Sequence, residues 1–282
     1  MHQEAILSFT LFGRQFGVHL YGLMIAIGIL VCIGVLYLYG RKKNIDPSFI
    51  DFLFYDGILS IVLGFVGATL YQSFYNYLKD PSAGFHIGGM TFLGGLIVGA
   101  AVCMGTYFLF RKRLKGRFVD VVSILPCCIL IAHGFGRIGC FFAGCCYGKD
   151  ATGFFSFLGV SFPKGSLANW HGSAFNIYDG TPVYPTMLFE AAFLFIMFGV
   201  CTYLLFRKDY KQNLALYLVS YAVFRFLIEY IRGDERGKFI FSFLSPSQFQ
   251  SIGMLAIGIV LFIVMPKFFK KREEELALQN RK

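Results

Sequence analysis

Long apolar stretches alternate along the chain with short polar connections. Seven of the apolar stretches are long enough to cross a hydrocarbon core, which takes about 20 helical residues. They lie near residues 20–39, 51–78, 88–110, 119–138, 185–206, 214–231 and 248–265. This pattern predicts an all-α integral membrane protein, a seven-transmembrane-helix bundle forming one membrane domain over residues 1–282. One connection breaks the rhythm. Residues 139–184 form a 46-residue segment rich in glycine and aromatics, with Trp170, His171 and the turn signal Asp179-Gly180. A small folded cap is expected there. The first 17 residues lack the basic-then-apolar order of a cleavable signal, so the first span is expected to be a retained helix.

Composition and charge add a solvent and an orientation. The chain is 56% hydrophobic and 15% charged, with a mean hydropathy of +0.63. A water-soluble domain of this length could not hide that much apolar surface, so much of its surroundings must be lipid. Of the 26 Lys and Arg residues, 17 fall in the connections 41–50, 111–118 and 207–213 and in the tail 266–282. The positive-inside rule places those segments in the cytoplasm and the N-terminus outside, so the 139–184 cap is extracytoplasmic. The net charge of +10 then reflects topology and contact with anionic lipid. The bases sit in short loops beside membrane helices and make no nucleic-acid stripe.

The polar residues inside this apolar frame carry the candidate chemistry. Residues 133–148 read His-Gly-Phe-Gly-Arg-Ile-Gly-Cys-Phe-Phe-Ala-Gly-Cys-Cys-Tyr-Gly and place His133, Arg137 and Gly139 at a membrane boundary. An arginine there is costly unless it meets an anion or protein dipoles. In the sixth span Tyr221, Arg225, Glu229 and Arg232 follow at helical spacing on one face. One reading is an internal Arg225–Glu229 ion pair that glues helices. The other is an arginine held by a carboxylate and pointed at a lipid phosphate, whose oxygens match the guanidinium fork. Glu190, one turn into the fifth span, is expected to partner an arginine or a tyrosine. Gly94 and Gly95 open the third span, either for close helix packing or as a floor where lipid approaches backbone. Tyr21 opens the first span as an interfacial aromatic. Cys140, Cys145 and Cys146 allow one disulfide at most. Their spacing is no standard zinc pattern, so packing or a disulfide is expected over a metal, and no cofactor is expected.

With these residues in place, the chain resembles the bacterial prolipoprotein diacylglyceryl transferases. The likeness runs from Tyr21-Gly22-Leu23-Met24 through Gly94-Gly95-Leu96-Ile97, Gly136-Arg137-Ile138-Gly139, Tyr184-Pro185 to Glu190 and Tyr221 to Arg232, ending at Ser247-Gln248. The resemblance implies a multi-pass enzyme of the bacterial cytoplasmic (inner) membrane. It would move diacylglyceryl from phosphatidylglycerol to the lipobox cysteine of a prolipoprotein signal peptide, releasing glycerol phosphate. Arg137 and Arg225, with Glu229, Arg232, Gly139, Gly94 and Gly95, would bind substrate. Tyr21 and Tyr221 would orient the head group.

The chain departs from the family's typical pattern at three places. Leu93 stands where a histidine usually precedes Gly-Gly-Leu-Ile, Cys140 where an asparagine often follows Arg-Ile-Gly, and Ala68 where an arginine is expected. His133, one turn before Arg137, is the histidine placed to supply an imidazole base. Two other readings remain: a divergent paralogue using another lipid or acceptor, and a non-catalytic lipid-binding or thiol-redox membrane protein.

Overall fold

The computed structural model describes residues 7–11, 14–89, 91–162, 182–233 and 244–279. Besides connecting segments, they form helices and an antiparallel hairpin, β1 (Leu7–Leu11) and β2 (Arg14–Val18), with Phe9 opposite Phe16. The helices are α1 (Leu20–Lys42), α2 (Pro47–Lys79), α3 (Phe92–Phe110), α4 (Phe118–Val121), α5 (Leu125–Ala143), α6 (Thr186–Arg207), α7 (Asn213–Ile228) and α8 (Pro246–Gln279). Six of them, α1, α2, α5, α6, α7 and α8, are long and apolar enough to cross a membrane; α3 is apolar over the shorter stretch Gly94–Phe110.

Helix ends follow local chemistry. The Asp46 side chain caps α2 by accepting from Ser48 N at 3.0 Å, with Pro47 in the first turn, so α2 starts earlier than residue 51. The hydrogen bond from Ser48 to this carboxylate holds Asp46 below the usual carboxylate range.

Two helices have bounds that differ from those of the apolar stretches. The fourth apolar stretch is split. The short helix α4 ends at Val121, and α5 begins at Leu125 with Pro126 in its first turn. α5 then runs to Ala143, so Cys140 is a helical residue and no part of a loop. The last helix does not stop at 265; it continues through Pro266 to Gln279.

The chain divides into two compact units, residues 37–121 and residues 1–36 with 122–282. In the first, α2 and α3 pack at close range. A Cβ added to Gly95 would lie 3.2 Å from Gly64 O, and one added to Gly99 would lie 3.2 Å from Ser60 O. Small residues let two apolar helices approach when lipid offers no hydrophobic drive for association. Thr106 Oγ1 donates to the buried Asp56 Oδ1 at 2.5 Å and adds a polar tie. In the second unit α5 packs on α6 and α7 on α8. Asn213, fully buried, donates from Nδ2 to Ser123 O at 3.2 Å and to Cys201 O at 3.0 Å. That side chain joins the starts of α5 and α7 to α6.

Candidate active site

The site lies in the second unit and is built around one carboxylate. Glu190 sits one turn into α6, after Pro185, and is 0% exposed. Its Oε1 accepts from the Tyr221 hydroxyl of α7 at 2.6 Å and pairs with Arg137 Nη2 of α5 at 3.0 Å. His133 Nε2 approaches the same oxygen to 3.7 Å. Three helices therefore meet on one oxygen. A buried carboxylate is tolerated when it is paired and hydrogen-bonded, and here it is both. Glu190, expected to partner an arginine or a tyrosine, has one of each.

Arg137 and His133 are also joined directly. Arg137 Nε donates to His133 Nε2 at 3.2 Å, one helical turn away. An accepting nitrogen carries no proton, so the imidazole is neutral in this arrangement. Its ring packs edge-on to Tyr221, with centroids 5.3 Å apart. These contacts engage Nε and Nη2 of Arg137, and Nη1 is the donor group they do not use.

A second carboxylate organises the end of α7. Arg225 Nη1 pairs with Glu229 Oε2 at 2.7 Å, and Arg225 Nη2 donates to Ser247 Oγ of α8 at 2.8 Å. Glu229 Oε1 accepts from Ser245 Oγ at 2.9 Å, and Arg232 Nε lies 3.8 Å from Oε2. The four polar residues share one side, but not one helix. α7 ends at Ile228, Glu229–Ile231 form a 3-10 turn, and Arg232 is extended. Sequence reasoning missed Ser245, although a serine just before Pro246 is a familiar helix-start signal.

Arg232 is placed by backbone pairing with Gly148. Lys149 N donates to Ile231 O at 2.8 Å, Gly148 N to Tyr184 O at 2.7 Å, and Gly233 N to Tyr147 O at 3.2 Å. Tyr147, Phe162, Val183 and Met187 pack into a small core with Cys140 and Phe141 against it. The cap residues Trp170, His171, Asp179 and Gly180 lie outside the described residues.

Gly139 serves close packing. A Cβ there would lie 3.2 Å from both Tyr21 Cδ2 and Tyr21 O, so α1 and α5 approach at backbone distance. Tyr21 itself is 44% exposed. Gly94 and Gly95 belong to the other unit. A Cβ on Gly94 would meet Tyr71 Cβ at 2.4 Å, and Gly95 lines an apolar groove of about 630 Å³ with Ile61, Phe65, Ala68 and Leu96.

Cys140, Cys145 and Cys146 converge: their sulfur atoms all lie within 4.8 Å of one another. Gly144, left-handed at φ 68°, ends α5, and the turn carries Cys145 and Cys146 back beside Cys140. Hydrogen bonds within the cluster push the Cys145 thiol up, while hydrogen bonds from Cys140 and Cys145, aided by Arg232 and Arg137, hold Cys146 below the usual thiol range.

Residues 8–264 match the model of the prolipoprotein diacylglyceryl transferase family. The chain belongs to that family. It is 33% identical over 261 residues to phosphatidylglycerol--prolipoprotein diacylglyceryl transferase 2 of Clostridium perfringens, covering 89% of this chain and 93% of the relative. The transferase of Clostridium tetani is 31% identical over 258 residues, 90% of this chain and 95% of the relative. That of Teredinibacter turnerae is 29% identical over 292 residues, covering 98% and 94%.

Membership of this transferase family sharpens the departures. Ala68, where an arginine was expected, is buried and lines the apolar groove. Cys140, in the place of the frequent asparagine, is one of the three converging thiols.

Proposed function

We propose that this protein transfers the diacylglyceryl group of phosphatidylglycerol to the lipobox cysteine thiol of prolipoproteins, at the outer side of the bacterial cytoplasmic membrane. The observation that carries this reading is the sharing of Glu190 Oε1 by Arg137 and Tyr221, with His133 against both. These contacts hold a guanidinium and leave its Nη1 for a lipid phosphate.

In the proposed reaction a thiolate attacks the glyceryl carbon that bears the phosphate. A C–S bond forms and the C–O bond breaks. The electron pair leaves on the phosphate oxygen, and glycerol phosphate departs. The phosphate goes from a singly charged diester to a monoester of higher charge. A positioned cation is worth most where charge develops, and Arg137 Nη1 is the donor for that oxygen. Arg225 is engaged by Glu229 and Ser247, so it contributes positive field and holds α7 to α8. Arg232 adds charge from the same cluster.

The thiol proton must be taken up, since the neutral thiol is a poor nucleophile. His133 takes it once Arg137 Nε–H has left its Nε2 lone pair. Glu190 Oε1, 3.7 Å from that nitrogen, then stabilises the imidazolium. That exchange releases Arg137 Nε toward the leaving phosphate. Tyr221 holds Glu190 in place, and Tyr21 orients the head group from the mouth of the site. Glu190 Oε2 has no hydrogen-bond partner among the described residues and offers an acceptor to a head-group hydroxyl.

The proposed frame is the seven-span bundle in which α3 also crosses, with the 139–184 cap, shortened at its start by α5, on the outer side. The N-terminus is outside and the basic connections and tail are cytoplasmic. Gly95 lines the groove that takes an acyl chain, and Gly94 packs against Tyr71 beside it.

Purified protein given phosphatidylglycerol labelled in its glyceride part, with a lipobox peptide bearing Cys or Ser, tests this reading. Label on the Cys peptide alone, with glycerol phosphate released in equal amount, is expected. A folded protein that labels neither peptide rejects it.

A further inference from the structure

The three converging thiols have no part in the reaction just described, yet they sit beside it. Cys140 follows Arg137 by three residues on α5, so the two are neighbours on one helical face. Cys146 is tied to the other side of the site. Thr186 Oγ1 donates to Cys146 O at 2.6 Å, and Thr186 lies one turn before Glu190 on α6. The cluster is therefore one helical turn from Arg137 and one from Glu190.

Its geometry is that of a ligand set. Sulfur atoms within 4.8 Å of one another close on a common point with small side-chain adjustment when Zn–S bonds are about 2.3 Å. All three are thiols and not disulfides, and each is half-buried. A disulfide would use two of them, and the vicinal pair Cys145-Cys146 is a poor candidate for one. Among the described residues this is the only group of three or more His, Cys, Asp or Glu side chains that converges so. Three thiolates on Zn²⁺ leave a net negative charge. Arg137, one helical turn from Cys140 on α5, offsets part of it.

We propose that Cys140, Cys145 and Cys146 bind a zinc ion whose fourth position takes the acceptor peptide's thiol as thiolate. This inference rests on the transferase reading. Three protein ligands with one open position are the signature of a catalytic zinc site, and a thiol bound to zinc is deprotonated outright. The need is visible in the site: the His133 Nε2 lone pair already receives Arg137 Nε–H, so the imidazole alone is poorly placed to draw a proton from an incoming thiol. A zinc ion held there would supply the acceptor sulfur as thiolate, with the thiol proton going to His133. As the C–S bond forms, the C–O bond to the phosphate would break and glycerol phosphate would leave, and the thioether product would be a much weaker zinc ligand. No oxidant or reductant is required.

The test uses the full-length protein in detergent, produced with zinc under reducing conditions. Zinc content is measured on wild type, Cys145→Ser and the triple Cys→Ser variant, and cobalt is bound in parallel to read thiolate coordination from its absorption. The proposal expects stoichiometric zinc in wild type and its loss in both variants. It also expects a change in the cobalt spectrum when a Cys peptide, but not a Ser peptide, is added. Transfer should disappear with a strong chelator and return with zinc. Metal-free wild type that transfers at full rate, or a Cys140–Cys145 disulfide in the active protein, overturns it. Zinc bound through the three cysteines, with the peptide-dependent cobalt change but no transfer from any phosphatidylglycerol, would sink the transferase reading and leave the metal site standing.

Discussion

The Tyr221 hydroxyl donates to Glu190 Oε1 at 2.6 Å and joins α7 to α6 through a carboxylate that solvent does not reach. A Tyr221→Phe variant removes the donor and keeps the ring against His133. Hydrogen bonds to charged groups contribute about 1.5–3 kcal/mol, so thermal stability should fall by that order. If about 1.4 kcal/mol of it positions Arg137, transfer should fall about tenfold. Unchanged transfer in a folded variant removes Tyr221 from the site.

Glu190→Ala and Glu190→Gln separate charge from packing. The alanine leaves Arg137 buried without its counter-ion, a change that costs about 3–5 kcal/mol in comparable pairs. The glutamine keeps an acceptor for Tyr221 but not the charge. The glutamine variant should therefore be the more stable in a thermal melt, and both should lose most transfer. A glutamine variant of full activity contradicts the role given to the carboxylate.

Asn213→Ala should behave in the opposite way. Its two hydrogen bonds tie helix starts together away from Arg137. Each lost hydrogen bond costs about 0.5–1.5 kcal/mol. The melting temperature should drop while transfer per folded molecule stays near wild type.

Gly148→Ala tests the pairing that places Arg232. The added Cβ would come within 2.8 Å of Ile231 O and Tyr184 O, both backbone atoms with little room to move. Overpacking of this kind costs about 1–3 kcal/mol. Reduced stability with weaker donor-lipid binding is expected; a variant indistinguishable from wild type in both would show that Arg232 does not depend on this pairing.

The apolar spans were legible because length and hydropathy do not depend on tertiary partners. The fourth was misplaced because hydropathy runs continuously through residues 119–138, whereas Pro126 marks the true start of α5. The last helix runs past its apolar stretch, through Pro266, because the tail stays helical. The N-terminal hairpin has its signal in the alternation of Leu7, Phe9 and Leu11 before Gly13. The Arg225–Glu229 pair could be read from its spacing. Glu190's set of partners could not, because Arg137, His133 and Tyr221 come from two other helices and meet only through packing. The converging cysteines were hidden for a similar reason. A Cys-x4-Cys-Cys spacing says nothing until a left-handed Gly144 and Cys146 at φ 64° turn the chain back on α5.

The most direct test compares wild type with Arg137→Lys and Arg137→Ala in the labelled-lipid assay, with folding checked by melting temperature and elution from a sizing column. The lysine keeps a charge beside Glu190 but loses the planar fork. Folded Arg137→Lys that retains its helices and loses nearly all Cys-dependent transfer is the predicted result. Transfer at the wild-type rate in a folded Arg137→Ala would contradict the account, because the phosphate would then be held elsewhere.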